Sequence, residues 1–228
     1  MALTQIEKDS IRTFVKEQYL NGNWQKVDSF CHFGLSDPAD ALHDWKRGTP
    51  LVNNGTTHVP KEGREFNGID QWIDSMYNPS NDAINVEEHN ANVGNYVAKH
   101  ENTNSIVNLF SASSIKLKFN FQTKKFTHSI HAEEKTTGVT FKSNTFYSTD
   151  KDSPSIQHIR KNGRIVASSS ITTFQAPPNS TLQIGRDEGG TNYFKGILSS
   201  FLVGASVYFL HEEFSKALKI LNSTLKEA

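Results

Sequence analysis

LQIGRDEGGTNYFKGILSSFLV, residues 182–203, is the stretch from which the architecture follows, read together with FNGIDQWID at 66–74. In its second half Ile197, Ser199, Phe201 and Val203 fall on one side of an extended chain, and Leu198 and Leu202 on the other. A strand apolar on both sides has to be central and covered twice. The expected covers are an opposing sheet on one face and a terminal helix on the other. The first half, running through Asp187, Glu188, Gly189, Gly190, Thr191, Asn192 and Tyr193, reads as a polar loop between two strands.

Period-two patterning continues through the middle of the chain. Ile115, Leu117, Phe119 and Phe121 alternate with Lys116, Lys118 and Asn120, which describes a strand with one buried and one wet face. After a turn at 122–125, Phe126, His128 and Ile130 repeat the habit, and Val139-Thr140-Phe141 and Thr145-Phe146-Tyr147 read as further short strands. The run Ile159-Arg160-Lys161-Asn162-Gly163-Arg164-Ile165-Val166 predicts a type I′ hairpin, because Asn-Gly tolerates positive φ at both turn positions. Several short strands with regular turn signals favour a sandwich.

The two ends read as helices. Thr4-Gln5-Ile6-Glu7 fits a capping box, with Ile11, Phe14, Val15 and Gln18 at helical spacing after it and Asn21-Gly22 as the stop. At the other end Phe214, Leu218, Leu221 and Leu225 form a narrow apolar stripe between lysines. Both stripes are expected to cover apolar surface of the sandwich. The expected division is an N-terminal helix over 1–23, the sandwich over 24–210 and a C-terminal helix over 211–228.

Bulk properties exclude several classes. In 228 residues, Lys plus Arg and Asp plus Glu stand at 24 each, so no basic excess invites nucleic acid. The single Cys31, between Phe30 and Phe33, excludes an internal disulfide framework and reads as a packed small hydrophobe. The opening MALTQIEKDSIRTF carries charges where a signal peptide has an apolar core, and FLVGASVYFL is too short to span a bilayer. A soluble protein made in a cytoplasm, with no membrane partner, is the expectation.

These phrases carry a resemblance. FNGIDQWID is similar to the FDG-x-x-D-Y-V phrase of concanavalin A-like lectin and laminin-G jelly rolls, HIRKNGRIV to their L-Y-x-N-G-x-x-V hairpin, and LQIGR with YFKGI to their I-G-x and Y-F-x-G-x-I. The order and spacing agree over roughly 27–210. The resemblance implies an all-β, antiparallel jelly-roll β-sandwich, and it places Trp72 in core packing. Ser199-Ser200 depart from the acidic pair that many relatives carry, which puts a calcium role there in doubt. A narrower resemblance, carried by VDSFCHFGLSDPADALHDWK, FNGIDQWIDSMYNPS and VEEHNANVGNYV, is to versions of this fold on tailed phages and their Bacteroidetes hosts. It implies a non-enzymatic particle-surface protein (capsid decoration, head fibre or adsorption component). Such a protein would sit in the virion, partner other virion structural proteins and a host surface glycan, and self-associate as a homo-oligomer such as a trimer.

No catalytic constellation is visible. Glucanases of this fold need Glu-x-Asp-x-Glu on one strand, and none occurs; the nearest pair, Asp150 and Asp152, reads as a solvated turn. Lyase chemistry needs Gln-x-His on one strand face, whereas Gln157 and His158 are adjacent and point oppositely. His128 and His131 likewise project apart, so no metal set and no cofactor is expected. The binding candidates are Asp187, Glu188, Asn192 and Tyr193, because acids and amides suit sugar hydroxyls and an aromatic ring suits the apolar sugar face. Trp24, Trp45 and Trp72 are further candidate platforms. The alternatives to the particle-surface reading are a carbohydrate-binding module of a bacterial surface system and, behind it, a polysaccharide lyase or hydrolase.

Overall fold

The computed structural model describes residues 3–101 and 106–227. The described strands are β1 (Val27–His32), β2 (Val52–Asn54), β3 (Thr57–Val59), β4 (Gly63–Asn67), β5 (Trp72–Asp74), β6 (Ala91–His100), β7 (Ile106–Ala112) and β8 (Ile115–Asn120). They continue with β9 (Lys125–Ile130), β10 (Lys135–Gly138), β11 (Thr145–Lys151), β12 (Ile156–Lys161), β13 (Arg164–Ser170), β14 (Gln183–Ile184) and β15 (Lys195–Gly204). The helices are α1 (Gln5–Leu20), α2 (Pro79–Asp82) and α3 (His211–Glu227). No helix among the described residues is long and apolar enough to cross a membrane.

Two antiparallel sheets stack into the expected jelly-roll-like sandwich. The first runs β13-β12-β11-β6-β15-β4-β3, with β1 paired to the second half of β15. The second runs β10-β9-β8-β7-β14-β5-β2. The chain passes from first sheet to second between β4 and β5, and back between β14 and β15, so the two opening sequence phrases lie side by side. The Phe66 and Phe194 rings meet edge to face at 5.8 Å. Gly185 (φ +84°) lies against that Phe66 ring, where a Cβ would overlap it.

β15 is central and covered twice, as its composition requires, but its faces differ from simple alternation. A bulge around Leu198–Ser200 shifts the register. Leu198, Phe201 and Val203 therefore join the core between the sheets, while Leu202 turns to the helices. Between the sheets sit Phe110, Phe119, Phe126 and Tyr147, all buried. On the outer face of the first sheet, Phe30, Tyr96, Phe146 and Leu202 pack under Phe14 of α1 and Phe214, Leu218 and Leu221 of α3. Trp24 and Trp45 pack against this same layer, which removes them as sugar platforms.

The local signals are realised in detail. The Thr4 hydroxyl accepts from the Glu7 amide at 3.2 Å, and Glu7 accepts from the Thr4 amide at 2.8 Å. The other Glu7 oxygen accepts from the Ser36 amide at 2.6 Å, tying α1 to the loop that follows β1. Asn162 (φ 50°) and Gly163 (φ 82°) form the two-residue hairpin loop. Val139-Thr140-Phe141 is not a strand: β10 ends at Gly138, and Val139 and Phe141 pack into the core from a loop. Cys31 is a buried free thiol.

Candidate functional site

The two outer faces of the sandwich differ. Helices α1 and α3 roof the first sheet, while the outer face of the second carries no such cover among the described residues. On β5, Ile73 points into the core, so Trp72 and Asp74 point outward. The same alternation turns Gln183 of β14 and Lys116 and Lys118 of β8 to this outer face. Trp72 is half-buried here, not in the core where the resemblance put it, because the short β5 presents it on the far side from Ile73.

The loop 186–193 lies along this face. It leaves β14 at Gly185 and rejoins the sheet at Asn192, whose carbonyl accepts from the Asn108 amide at 2.9 Å. Between these points the Ser111 hydroxyl, outward on β7, donates to the Arg186 carbonyl at 3.0 Å. Asp187 closes the loop on itself: it accepts from the Thr191 amide and hydroxyl and from the Asn192 side chain, each at 2.6 Å. Burial alone would raise the Asp187 carboxyl, but these Thr191 and Asn192 bonds hold it below its ordinary value. Glu188 accepts from the Ser113 amide at 2.6 Å and the Ser180 hydroxyl at 3.0 Å.

The structure thus brings Asp187, Glu188, Asn192 and Tyr193 into one loop but gives the first three structural work. The groups left presenting themselves are different ones. The Arg186 guanidinium lies 3.4 Å from the centroid of the Trp72 ring, and its Nε donates to Gln183 Oε1 at 2.8 Å. Arg186 Nη1 and the Tyr193 hydroxyl both border Gly190. Arg186 and Gln183 carried no weight in the sequence, although Trp72 and Arg186 each belong to a quoted phrase. Their meeting depends on β5 pairing with β14. Across the face, Glu134 bridges Lys116 at 2.6 Å and Lys118 at 3.0 Å.

Further titratable side chains gather around β11 and β12. Asp150 is not in a turn but in β11, fully buried, because Arg160 grips it at 2.8 Å and 3.2 Å while Ser206 donates to it at 2.7 Å. Asp150, Asp152 and His158 are a grouping of possible metal-ligating atoms among the described residues. Its carboxylates are committed, since His158 Nε2 meets Asp152 at 3.2 Å and Arg160 occupies Asp150. His128 faces the core between Thr149 and Ser169, and His131 lies past the end of β9, so the two form no pair. Gln157 and His158 do point oppositely: Gln157 accepts from the Ile130 amide, while His158 meets Ser168.

No protein-family model matches the chain, and no curated protein matches it. Solved structures do share its fold. The sialidase of Trypanosoma rangeli in complex with 2,3-difluorosialic acid aligns over 95% of this chain and 40% of its own, with TM-score 0.64 and 11% identity. The same enzyme with sialic acid aligns over 94% of this chain and 39% of its own, with TM-score 0.58 and 11% identity. Domain 4 of AbnA, a GH43 extracellular arabinanase from Geobacillus stearothermophilus, in complex with arabinotriose, aligns over 83% of this chain and 98% of its own, with TM-score 0.59 and 13% identity. The chain spans about two fifths of the length of the sialidase chains. At these identities the likeness is one of fold. It corrects the particle-surface expectation: the folds named above belong to a sialidase and an arabinanase domain, and none of them supports a phage particle. Those phrases report β-sandwich edges and turns, which many lineages share.

Proposed function

We propose that this chain is a carbohydrate-binding β-sandwich module that holds a glycan on the outer face of the second sheet without cleaving it. The observation carrying this reading is the asymmetry of the two faces. One is closed by α1 and α3, and the other displays Trp72 and Gln183 from strands and Arg186 and Tyr193 from the loop 186–193. A polar face with an aromatic among its outward side chains suits a ligand rich in hydroxyls. The fold likeness to an arabinanase domain bound to arabinotriose supports the same class of ligand.

The non-catalytic part of the proposal rests on how the carboxylates are spent. Asp187 and Glu188 hold the loop, Glu134 bridges two lysines, and Asp74 accepts from Thr181 at 2.9 Å and from the Met76 amide at 2.8 Å. A glycosidase needs two carboxyl groups facing one bond with a proton to exchange. The test is a glycan array covering neutral and acidic polysaccharides, with each hit then incubated and assayed for new reducing ends. Binding without product is the expected result. Binding to no glycan, or release of product, overturns the proposal. A Tyr193→Phe or Trp72→Ala variant that keeps its circular dichroism should weaken a genuine hit by about tenfold or more.

A further inference from the structure

We infer that the glycan taken by this face is an acidic one, and that Arg186 reads the carboxylate of its sugar. The inference deepens the glycan-binding reading and rests on it. Of the six arginines in the chain, four have carboxylate partners: Arg12 with Asp9, Arg47 with Asp44, Arg160 with Asp150 and Arg164 with Glu212. Arg64 is buried, with Nη2 donating to the Pro38 carbonyl. Like Arg64, Arg186 meets no carboxylate among the described residues, but it is half-buried on the open face where Arg64 is sealed in. Among the described residues its side chain hydrogen-bonds through the Nε donation to Gln183.

The acids around it are committed elsewhere. Asp187, its chain neighbour, is turned into the loop by Thr191 and Asn192. Glu188 faces Ser113 and Ser180. Glu134 lies between Lys116 and Lys118. The guanidinium is nonetheless held in place: Trp72 supports its flat side at 3.4 Å, and Gln183 fixes its rotation through Nε. That leaves the Nη edge unspent, with Nη1 beside Gly190, which the Tyr193 hydroxyl also borders. A planar fork already oriented and lacking its counter-charge is complementary to a carboxylate, which it can engage with two parallel bonds. Trp72 then serves as the bed of the guanidinium, and the sugar ring lies towards Tyr193.

Two kinds of sugar supply that group, a uronate and a sialate, and the experiment separates them. Isothermal titration is run with tri-galacturonate and its carboxyl-reduced counterpart, with sialyllactose and lactose, and with arabinotriose, against the wild-type chain, Arg186→Gln and Arg186→Lys. The expected result is at least tenfold tighter binding of one acidic ligand than of its neutral counterpart. Arg186→Gln should erase that preference, and Arg186→Lys should restore it only in part. Preference for galacturonate or for sialyllactose names the source. Equal binding of an acidic ligand and its neutral partner, or binding of arabinotriose alone, overturns the inference and leaves the glycan-binding reading standing. A preference that survives in Arg186→Gln also overturns it. No binding to any ligand removes both. Thermal melts of the two variants matching the wild type establish that the fold is intact.

Discussion

Asp150 shows how a single side chain fixes this molecule from within. Its carboxylate lies fully buried on β11 with Arg160 across from it and Ser206 as third partner. Replacing it with Ala strips the largely buried guanidinium of its main partner and leaves only the more distant Asp152 at 3.7 Å, which costs about 3 kcal/mol. Denaturant unfolding of Asp150→Ala should read that loss, while glycan affinity stays unchanged because the pair sits on the helix-covered sheet. Gly163 makes a second case, for backbone. Its φ is +82°, and a Cβ there would overlap the first residues of α3. Gly163→Ala should destabilise by about 1–3 kcal/mol, since it meets both a strained conformation and a packed neighbour. Arg186 is the counterpart on the open face, a charge held in place with no carboxylate mate among the described residues.

At the scale of the elements, α3 is the larger part of the roof. Phe214 touches the Phe14, Phe30, Phe146 and Phe209 rings at 5.3–5.8 Å, so it joins α1, α3 and the first sheet. Phe214→Ala should cost about 3–5 kcal/mol in an unfolding experiment and leave binding on the other face unaltered. The elements readable from sequence are those whose cause is local. The capping box at Thr4, the Asn162-Gly163 hairpin, the alternation of β8 and the stripe on α3 each depend on residues a few positions apart. What was not readable depends on distant pairing. The bulge in β15 comes from its register against β6, and it moved Leu198 to the opposite face from Leu202. The outward turn of Trp72 depends on β5 lying between β2 and β14. The spending of Asp187 within its own loop follows from loop closure, which an acid-amide-aromatic composition does not reveal. Asp150 was misread as a solvated turn because its partner Arg160 lies on the next strand.

The whole molecule carries a pH signature. His32, His128 and His131 are held down at about 4 and His211 at about 3, in each case chiefly by burial. Unfolded, each returns to the ordinary histidine value near 6.5, so between these values the unfolded chain binds more protons. Stability from this source is complete above about pH 6.5 and is lost as the pH falls towards 4 and below. Buried Asp150, raised by burial, acts in the opposite sense above the ordinary aspartate range, but it is one group against four. Thermal melts between pH 7.5 and 4 should show a progressive fall in Tm; a flat profile would contradict the burial of these imidazoles. The molecule is layered: a roof of helices on one side, a buried core between the sheets, and on the other side a polar sheet face without a helical cover among the described residues. Amide chemical-shift mapping of the labelled chain during titration with the tightest-binding oligosaccharide bears on that division more closely than any other experiment. Perturbations should cluster at Trp72, Gln183, Arg186 to Tyr193 and Lys118, with α1 and α3 silent. A cluster on α1 and α3, or at the 139–142 loop, with the Trp72 face unmoved, would contradict it.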